Sequence, residues 1–209
     1  MKLISTLAVA AVAAGSTLVA AGPAQADDAR KAGNTSLAEV LAADGTRFDK
    51  NWKDFDIVER AVLTVLEAKP DSPVGILADG TQRLTAFVPT DNAFRRLVHD
   101  LTGSTPKNEK ATFNTVATVG VDTIETILLY HVVPGATITS KQAAASDGAK
   151  LVTAQGKKVK VSVRTNNIFL VDKDFDDRNP RLIPALLDVN KGNKQIAHGI
   201  HRVLRPVDL

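Results

Sequence analysis

The sequence predicts a single α+β domain, with helices mostly in its first half and strands mostly in its second half. In the segment 54–68, apolar residues recur at the spacing of one helix face: Phe55, Val58, Val62 and Leu66. In the segment 158–164, valines alternate with charged or polar residues, which is typical of a half-buried strand. The chain has no cysteine and 44% hydrophobic residues, so an aliphatic core must stabilise it without disulfides.

The N-terminal segment predicts export. Lys2 is its only charge, an apolar stretch runs from residue 3 to about residue 21, and Ala24-Gln25-Ala26 supplies a small-x-small cleavage site. The stretch is nearly long enough to be an uncleaved membrane anchor. The cleavage site directly before two aspartates favours a signal peptide instead.

The predicted organisation is a signal peptide over residues 1–26, a flexible leader over 27–35 and one domain over 36–209. The formal net charge of +3 is too close to neutral to indicate nucleic acid or a polybasic membrane contact. No later apolar run is long enough to span a bilayer. We therefore expect a secreted, extracellular protein that is cleaved after Ala26 and not stably inserted in a membrane.

Local signals place the first two helices. Ser36 and Glu39 have the capping-box pattern, in which the serine hydroxyl accepts a backbone hydrogen bond and the glutamate reaches back to the cap. A short helix follows it. The helix over 54–68 ends before Pro70, which cannot continue it.

A strand-to-helix corner follows. Residues 83–88 favour a strand, and Pro89 ends it because proline cannot donate to the ladder. Thr90 is placed to cap the next helix, with Asp91 near the positive end of the helix dipole. The apolar stripe of this helix consists of Phe94, Leu97, Val98 and Leu101.

The middle of the chain predicts a loop, a helix, a turn and a short helix. Residues 102–110 are polar and indicate a loop. Asp122 opens a helix that reaches the Tyr-His pair at 130–131, and the Pro-Gly pair at 134–135 forces a turn. Ser140 is a candidate cap for a short alanine-rich helix.

The last third predicts strands. In 158–164, the inward residues are Val159, Val161 and Val163. The outward residues are Lys158, Lys160, Ser162 and Arg164. Residues 168–171 pair back onto this strand, and the segments 181–189 and 198–204 supply later strands.

Three segments carry a resemblance to a known family. They are 84–94 with its Thr90-Asp91 corner, 127–135 with its Tyr130-His131 pair, and 196–204 with its two histidines. In this order they resemble the conserved blocks of a fasciclin (FAS1) domain, of the secreted single-domain bacterial type. The resemblance implies a wedge of two packed β-sheets with several helices at one side. It also implies cell adhesion, matrix contact or polysaccharide association, with no shared catalytic residue and no cofactor.

Two groups of residues are candidates for binding a partner. The resemblance implies Tyr130 and His131, because this region has been tied to receptor binding in animal members. A buried structural pair is the alternative interpretation. The strand pattern adds Lys158, Lys160 and Arg164, a basic face suited to acidic polysaccharide or simply solvated.

The last block departs from the family pattern in a way that weakens transfer of receptor binding from animal members. Gln195 replaces the aspartate that some animal adhesion domains use, and His198 stands where asparagine is common. We therefore do not expect an animal-type receptor contact at this end of the chain.

Other arrangements of candidate ligands and nucleophiles do not reach a recognisable site. The acidic run 172–177 lacks the glycine and the bidentate glutamate of an EF-hand. His198 and His201 would point to opposite faces of a strand, and no cysteine completes a zinc site. The chain has no Gly-x-Ser-x-Gly nucleophile elbow. The sequence thus predicts no catalytic, cofactor-binding or metal-ligating residue.

Together these observations predict a secreted, non-enzymatic interaction module of the fasciclin type. The expected partner is a cell-surface or matrix protein or polysaccharide, and not nucleic acid. The alternative is an extracellular carrier of a small ligand or metal, with an apolar cleft near Tyr130, His131 and His201.

Overall fold

A computed structural model describes residues 32–45 and 47–207, without the side chain of Asp44. The predicted signal peptide and residues 27–31 of the predicted leader lie outside this part of the chain. Gly33 is hydrogen-bonded through its backbone to Gly192 and Lys194. The fold therefore extends a few residues N-terminal of Ser36.

The described residues form six α-helices and three short 3₁₀ segments. The α-helices are α1 Leu37–Leu41, α2 Asp56–Ala68, α3 Asp91–Thr102, α4 Glu109–Ala117, α5 Val121–Tyr130 and α6 Ser140–Ala144. The 3₁₀ segments are Ala42–Asp44, Pro73–Ala78 and Pro184–Leu186. The predicted capping box of α1 is present, with both reciprocal hydrogen bonds formed between Ser36 and Glu39.

Six strands form two three-stranded sheets. The strands are β1 Leu84–Pro89, β2 Val132–Pro134, β3 Lys150–Val152, β4 Lys158–Arg164, β5 Asn167–Val171 and β6 Gln195–Ile200. The first sheet has the order β2-β1-β6, in which β1 is antiparallel to β2 and parallel to β6. The second sheet is antiparallel throughout, with the order β3-β4-β5. The α+β class predicted from the sequence is confirmed.

The first sheet separates two hydrophobic cores. All residues of β1 and β6 are buried, as expected for strands covered on both faces. On β1, Leu84, Ala86 and Val88 pack into the core beneath the helices. Phe87 points the other way, into the core between the two sheets.

Some sequence-based boundaries were wrong. The predicted polar loop 102–110 runs into α4, which Asn108 caps by accepting a hydrogen bond from the amide of Ala111. This helix was missed because Glu109 and Thr112 lie on its buried face and interrupt the apolar period. Thr139, not Ser140, caps α6.

The late strands also differ from the prediction. The segment 181–189 makes only isolated bridges around its 3₁₀ turn, and β6 ends at Ile200. The final residues leave the ladder because the amide of Leu204 donates to the imidazole of His131 instead, at 2.9 Å. β4 is the central strand of its sheet.

Gln195 joins the start of β6 to the N-terminal elements. Its side chain is fully buried. Its Oε1 accepts from the amide of Leu37, and its Nε2 donates to the carbonyls of Ile76 and Asp79, all at 2.8 Å. One amide thus satisfies three backbone groups that no ladder reaches.

We predict that Gln195→Ala lowers the free energy of unfolding by about 2 kcal/mol, because it leaves the buried amide of Leu37 without a partner and removes one of two hydrogen bonds to each of the carbonyls of Ile76 and Asp79. Urea denaturation followed by circular dichroism measures the change. Gln82→Ala is the matched control, since Gln82 is exposed and bonds only Asp79 at 3.2 Å. The control should change stability by less than about 0.5 kcal/mol. Equal losses in the two variants would contradict the assignment.

Candidate functional site

Tyr130 and His131, the first candidates for partner binding, lie inside the protein. Tyr130 is fully buried and His131 is 5% exposed. The Tyr130 hydroxyl donates to the carbonyl of Lys158 at 3.3 Å and so joins the end of α5 to β4. A partner cannot reach either side chain in this conformation, so their burial favours the structural interpretation of the pair.

His131 holds the end of α5 against the C-terminal segment. Its Nδ1 donates to the carbonyl of Ile127 at 2.8 Å, and its Nε2 accepts from the amide of Leu204 at 2.9 Å. The amide is an obligatory donor, which fixes the neutral tautomer with the proton on Nδ1. Burial lowers the pKa of His131 to about 4, since a charged ring would lose its hydration.

The predicted apolar cleft near His131 is a small cavity. It has a volume of about 20 Å³ and is lined by side chains of the helical core, including Phe94, Ile127 and Val203. A cavity of this size holds about one water molecule. An organic ligand would require the surrounding helices to separate.

Lys158, Lys160 and Arg164 are exposed on the outer face of the second sheet. They lie on β4 at alternate positions, with Val159 and Val161 buried on the opposite face. Ser162 shares the outer face, but its small side chain is buried. The predicted alternation is therefore correct for the charged residues.

The cross-strand register enlarges this basic face. Lys150 on β3 lies directly opposite Lys160, and exposed Val152 lies opposite Lys158. We call Lys150, Lys158, Lys160 and Arg164 the basic face. Among the described residues, no salt bridge includes any of the four.

The acidic run 172–177 is held by arginines. Asp172 accepts from the amide of Arg205 at 2.8 Å, and Asp174 pairs with the Arg205 guanidinium at 2.7 Å. Asp177 pairs with Arg202 at 3.0 Å. Asp172 and Asp174 are buried, so these aspartates belong to an internal network of ion pairs and hydrogen bonds.

His198 and His201 each serve the backbone. His198 is fully buried, with its Nε2 bonded to the carbonyl of Ile138 at 2.8 Å and its Nδ1 accepting from the amide of Asp188 at 3.2 Å. His201 accepts from the amide of Arg181 at 2.9 Å. Burial, assisted by nearby arginines, lowers the pKa of His201 to about 4. Both rings are thus neutral hydrogen-bonding groups at neutral pH.

The glycine between these histidines is also explained by packing. A Cβ on Gly199 would lie 2.6 Å from the Cβ of Leu186, which is too close for any larger residue. The 3₁₀ turn of Leu186 therefore rests directly on the backbone of β6. The glycine at this position therefore allows the turn to pack against the sheet.

Sequence reasoning missed a cluster of carboxylates where three helices begin. Its members are Asp49, Asp54, Asp56, Asp91 and Glu109. Burial, together with the neighbouring carboxylates, raises the pKa of Asp91 to about 8 and that of Glu109 to about 7. The only local signal is that α2, α3 and α4 each open with an acidic residue.

Comparison with known proteins gives one family and one fold. Residues 64–206 match the family model described as the Fasciclin domain. A similar solved structure is a FAS1 domain pair from the insect cell adhesion molecule Fasciclin I, with a TM-score of 0.50 and 17% sequence identity. The alignment covers 72% of this chain and 47% of that structure, so the chain spans about half its length. This likeness shows the fold, including its α+β class. A search of curated proteins gives no match.

The described helices were also compared with the dimensions of a bilayer. None of them combines the length and the apolar character that crossing a membrane requires.

We predict that His131 makes the protein acid-sensitive. The unfolded chain takes up the proton near pH 6.5, whereas the folded state excludes it until about pH 4, so acidification favours unfolding. This site alone should remove about 3 kcal/mol of stability between pH 7 and pH 4. Urea denaturation across this pH range measures the loss.

His131→Asn is the comparison variant, since it cannot titrate. It should be less stable at pH 7 because the bonds to Ile127 and Leu204 are disturbed, but its stability should fall less steeply on acidification. The other histidines and the carboxylates titrate in both proteins, so the difference in slope isolates His131. Identical slopes would show that His131 does not carry the effect.

Proposed function

The chain belongs to the fasciclin domain family, and from that premise we propose that it is a secreted, non-enzymatic adhesion module that binds acidic polysaccharide through its basic face. The observation that carries the proposal is the exposed, unpaired set of Lys150, Lys158, Lys160 and Arg164 on one sheet. The matching structure is of a cell adhesion molecule, which supports a role in contact with a surface or matrix.

The arrangement of the basic face is unfavourable for stability alone. Lys150 and Lys160 lie directly opposite each other on neighbouring strands. Like charges in this position destabilise a sheet. A polyanion would relieve this repulsion by placing carboxylate or sulfate groups between the lysines.

The shape of the second sheet suits an extended polymer. Lys158, Lys160 and Arg164 lie on one face of β4, so they form a row along that strand. Val152, 51% exposed, lies beside this row on β3, opposite Lys158, and offers an apolar contact for a sugar ring. A cell-surface or matrix protein with an acidic strand or loop is the other partner of this charge type.

The segments that resemble the family stabilise the fold and do not offer side chains to a partner. Tyr130, His131, Gln195 and His198 are buried and bonded to backbone groups. Substitution at these positions would change stability first. We therefore assign partner recognition to the exposed residues of the basic face.

Export is part of the proposal. The sequence of residues 1–26 has the charge, apolar stretch and Ala-Gln-Ala site of a signal peptide. Cleavage after Ala26 would release the domain outside the cell, where polysaccharide is accessible.

We predict that Lys158→Glu combined with Lys160→Glu weakens binding to an acidic polysaccharide by at least about tenfold, since it reverses two charges at the centre of the row. Binding of the purified protein to immobilised heparin or alginate, measured by surface plasmon resonance, tests this. The affinity of the unmodified protein should fall as salt is raised, because exposed charges are screened.

The control is Lys50→Glu combined with Lys107→Glu, which changes the net charge equally on the helical side of the molecule. Both of these lysines are exposed. The control should retain binding. Equal losses of affinity in the two double variants would show that only the net charge matters, and not the position of the lysines. If the unmodified protein bound neither polymer, the proposed partner would be rejected.

A further inference from the structure

The carboxylate cluster has the geometry of a cation site. In one triad, single oxygens of Asp49, Asp56 and Glu109 all lie within 4.8 Å of one another. In a second triad, the same holds for Asp54, Asp56 and Asp91. The side chains come from the segment before α2 and from the first residues of α2, α3 and α4, so the fold and not one acidic run brings them together.

The state of Glu109 is the second, independent observation. Glu109 is 1% exposed, and neither of its carboxylate oxygens has a hydrogen-bond partner among the described residues. The amide of Asp49 lies close enough to lower the pKa of Glu109 slightly, but it does not reach hydrogen-bonding geometry. A buried carboxylate normally finds a donor or a metal. Here one oxygen of Glu109 lies within 4.8 Å of an oxygen of Asp49 and of an oxygen of Asp56.

The second triad, Asp54, Asp56 and Asp91, has hydrogen-bond partners within the protein. Asp91 accepts from the amide of Ile57 at 3.0 Å and is hydrogen-bonded to Asp54, which raises the pKa of Asp91 because that bond needs a proton. Asp56 accepts from the amide of Asp49 at 3.3 Å. One oxygen of Asp91 also has no hydrogen-bond partner among the described residues. The first triad, Asp49, Asp56 and Glu109, differs in combining the two unmet oxygens of Glu109 with an exposed member, Asp49, through which an ion could enter from solvent.

We propose that Asp49, Asp56 and Glu109 bind one calcium ion. All three ligands are carboxylate oxygens. Hard cations such as calcium prefer oxygen ligands, whereas zinc has no need of a site made only of carboxylates. Oxygens within 4.8 Å of one another can share an ion at Ca–O distances of about 2.4 Å. The site has an irregular arrangement from three segments, which calcium accepts more readily than magnesium, since magnesium demands near-octahedral geometry.

The partial positive charges of the nearby helix N-termini do not prevent a cation from binding. Each N-terminus carries roughly half a positive elementary charge, which favours the carboxylates and opposes a cation. Three such ends together amount to roughly 1.5 positive charges, which is less than the negative charge of the three carboxylates of Asp49, Asp56 and Glu109 when they bind a cation. A bound ion would join the segment before α2 to the starts of α2 and α4, and so fix one end of the helical layer.

Calorimetric titration of the full, chelator-treated protein with calcium chloride tests the site. We expect one ion per chain with a Kd of about 10⁻⁴ M, in the range of extracellular calcium modules. At about a hundred times Kd, the melting temperature should rise by roughly 5–10 °C. Magnesium should bind at least about tenfold more weakly.

Two substitutions locate the ion. Asp49→Asn and Glu109→Gln should each weaken calcium binding by at least about tenfold. Without calcium, Glu109→Gln should be as stable as the unmodified protein or more so, because it removes a buried charge; this separates loss of a ligand from loss of fold. Asp49 is exposed, so Asp49→Asn gives a second variant that does not alter the core. Glu67→Gln and Asp71→Asn are the matched controls. Glu67 lies in the last turn of α2 and Asp71 lies just after that helix, both exposed and at the end away from the cluster. Both variants should bind calcium normally.

Terbium luminescence gives an independent readout. Trp52 is the only tryptophan of the chain, and its carbonyl accepts from the amide of Asn92 at 2.9 Å, beside the cluster. Terbium bound there should be sensitised by excitation of Trp52 and displaced by calcium. The proposal is overturned if the unmodified protein shows no calcium binding up to about 10 mM, if magnesium binds as tightly, or if both ligand variants keep full affinity.

Discussion

The parallel pairing of β1 with β6 is the constraint on which the other elements depend. It places the middle of the chain beside its end, and both strands are buried along their whole length. Side chains of β1 enter the helical core on one face and the core between the sheets on the other. Any displacement of this pair would open both cores at once. The helices and the second sheet are therefore positioned by a two-strand layer that is itself hidden from solvent.

Buried polar side chains extend this layer where its ladder ends. Gln195 reaches the N-terminal elements, His198 reaches the segments before α6 and after the 3₁₀ turn, and His131 holds the chain after β6. Each satisfies backbone groups that would otherwise be buried without partners. This explains why the segments that identify the family are poor places for a partner to bind. The same side chains cannot serve the backbone and remain available to a ligand.

The sequence predicts what is decided locally and misses what depends on distant contacts. The capping box at Ser36 and the valine alternation of β4 were correct because each depends on neighbours in sequence. The burial of Tyr130 and His131 depends on β4 and Leu204, so the pair was taken for a possible surface. The position of β4 within its sheet follows from strand order, which no local pattern records. The carboxylate cluster needs three helix starts to meet, and its polar residues on α4 also concealed that helix.

The parallel pair has a consequence for biosynthesis. β1 leaves the ribosome long before β6, and the two strands cannot pair until β6 has also been made. At about 5–20 residues per second, the intervening segment takes on the order of 5–20 s to emerge. During this interval β1 is a largely apolar strand with an unpaired edge, and contacts this distant in sequence also form slowly. The nascent chain thus remains without its central layer, and dependent on whatever shields β1, until β6 has emerged.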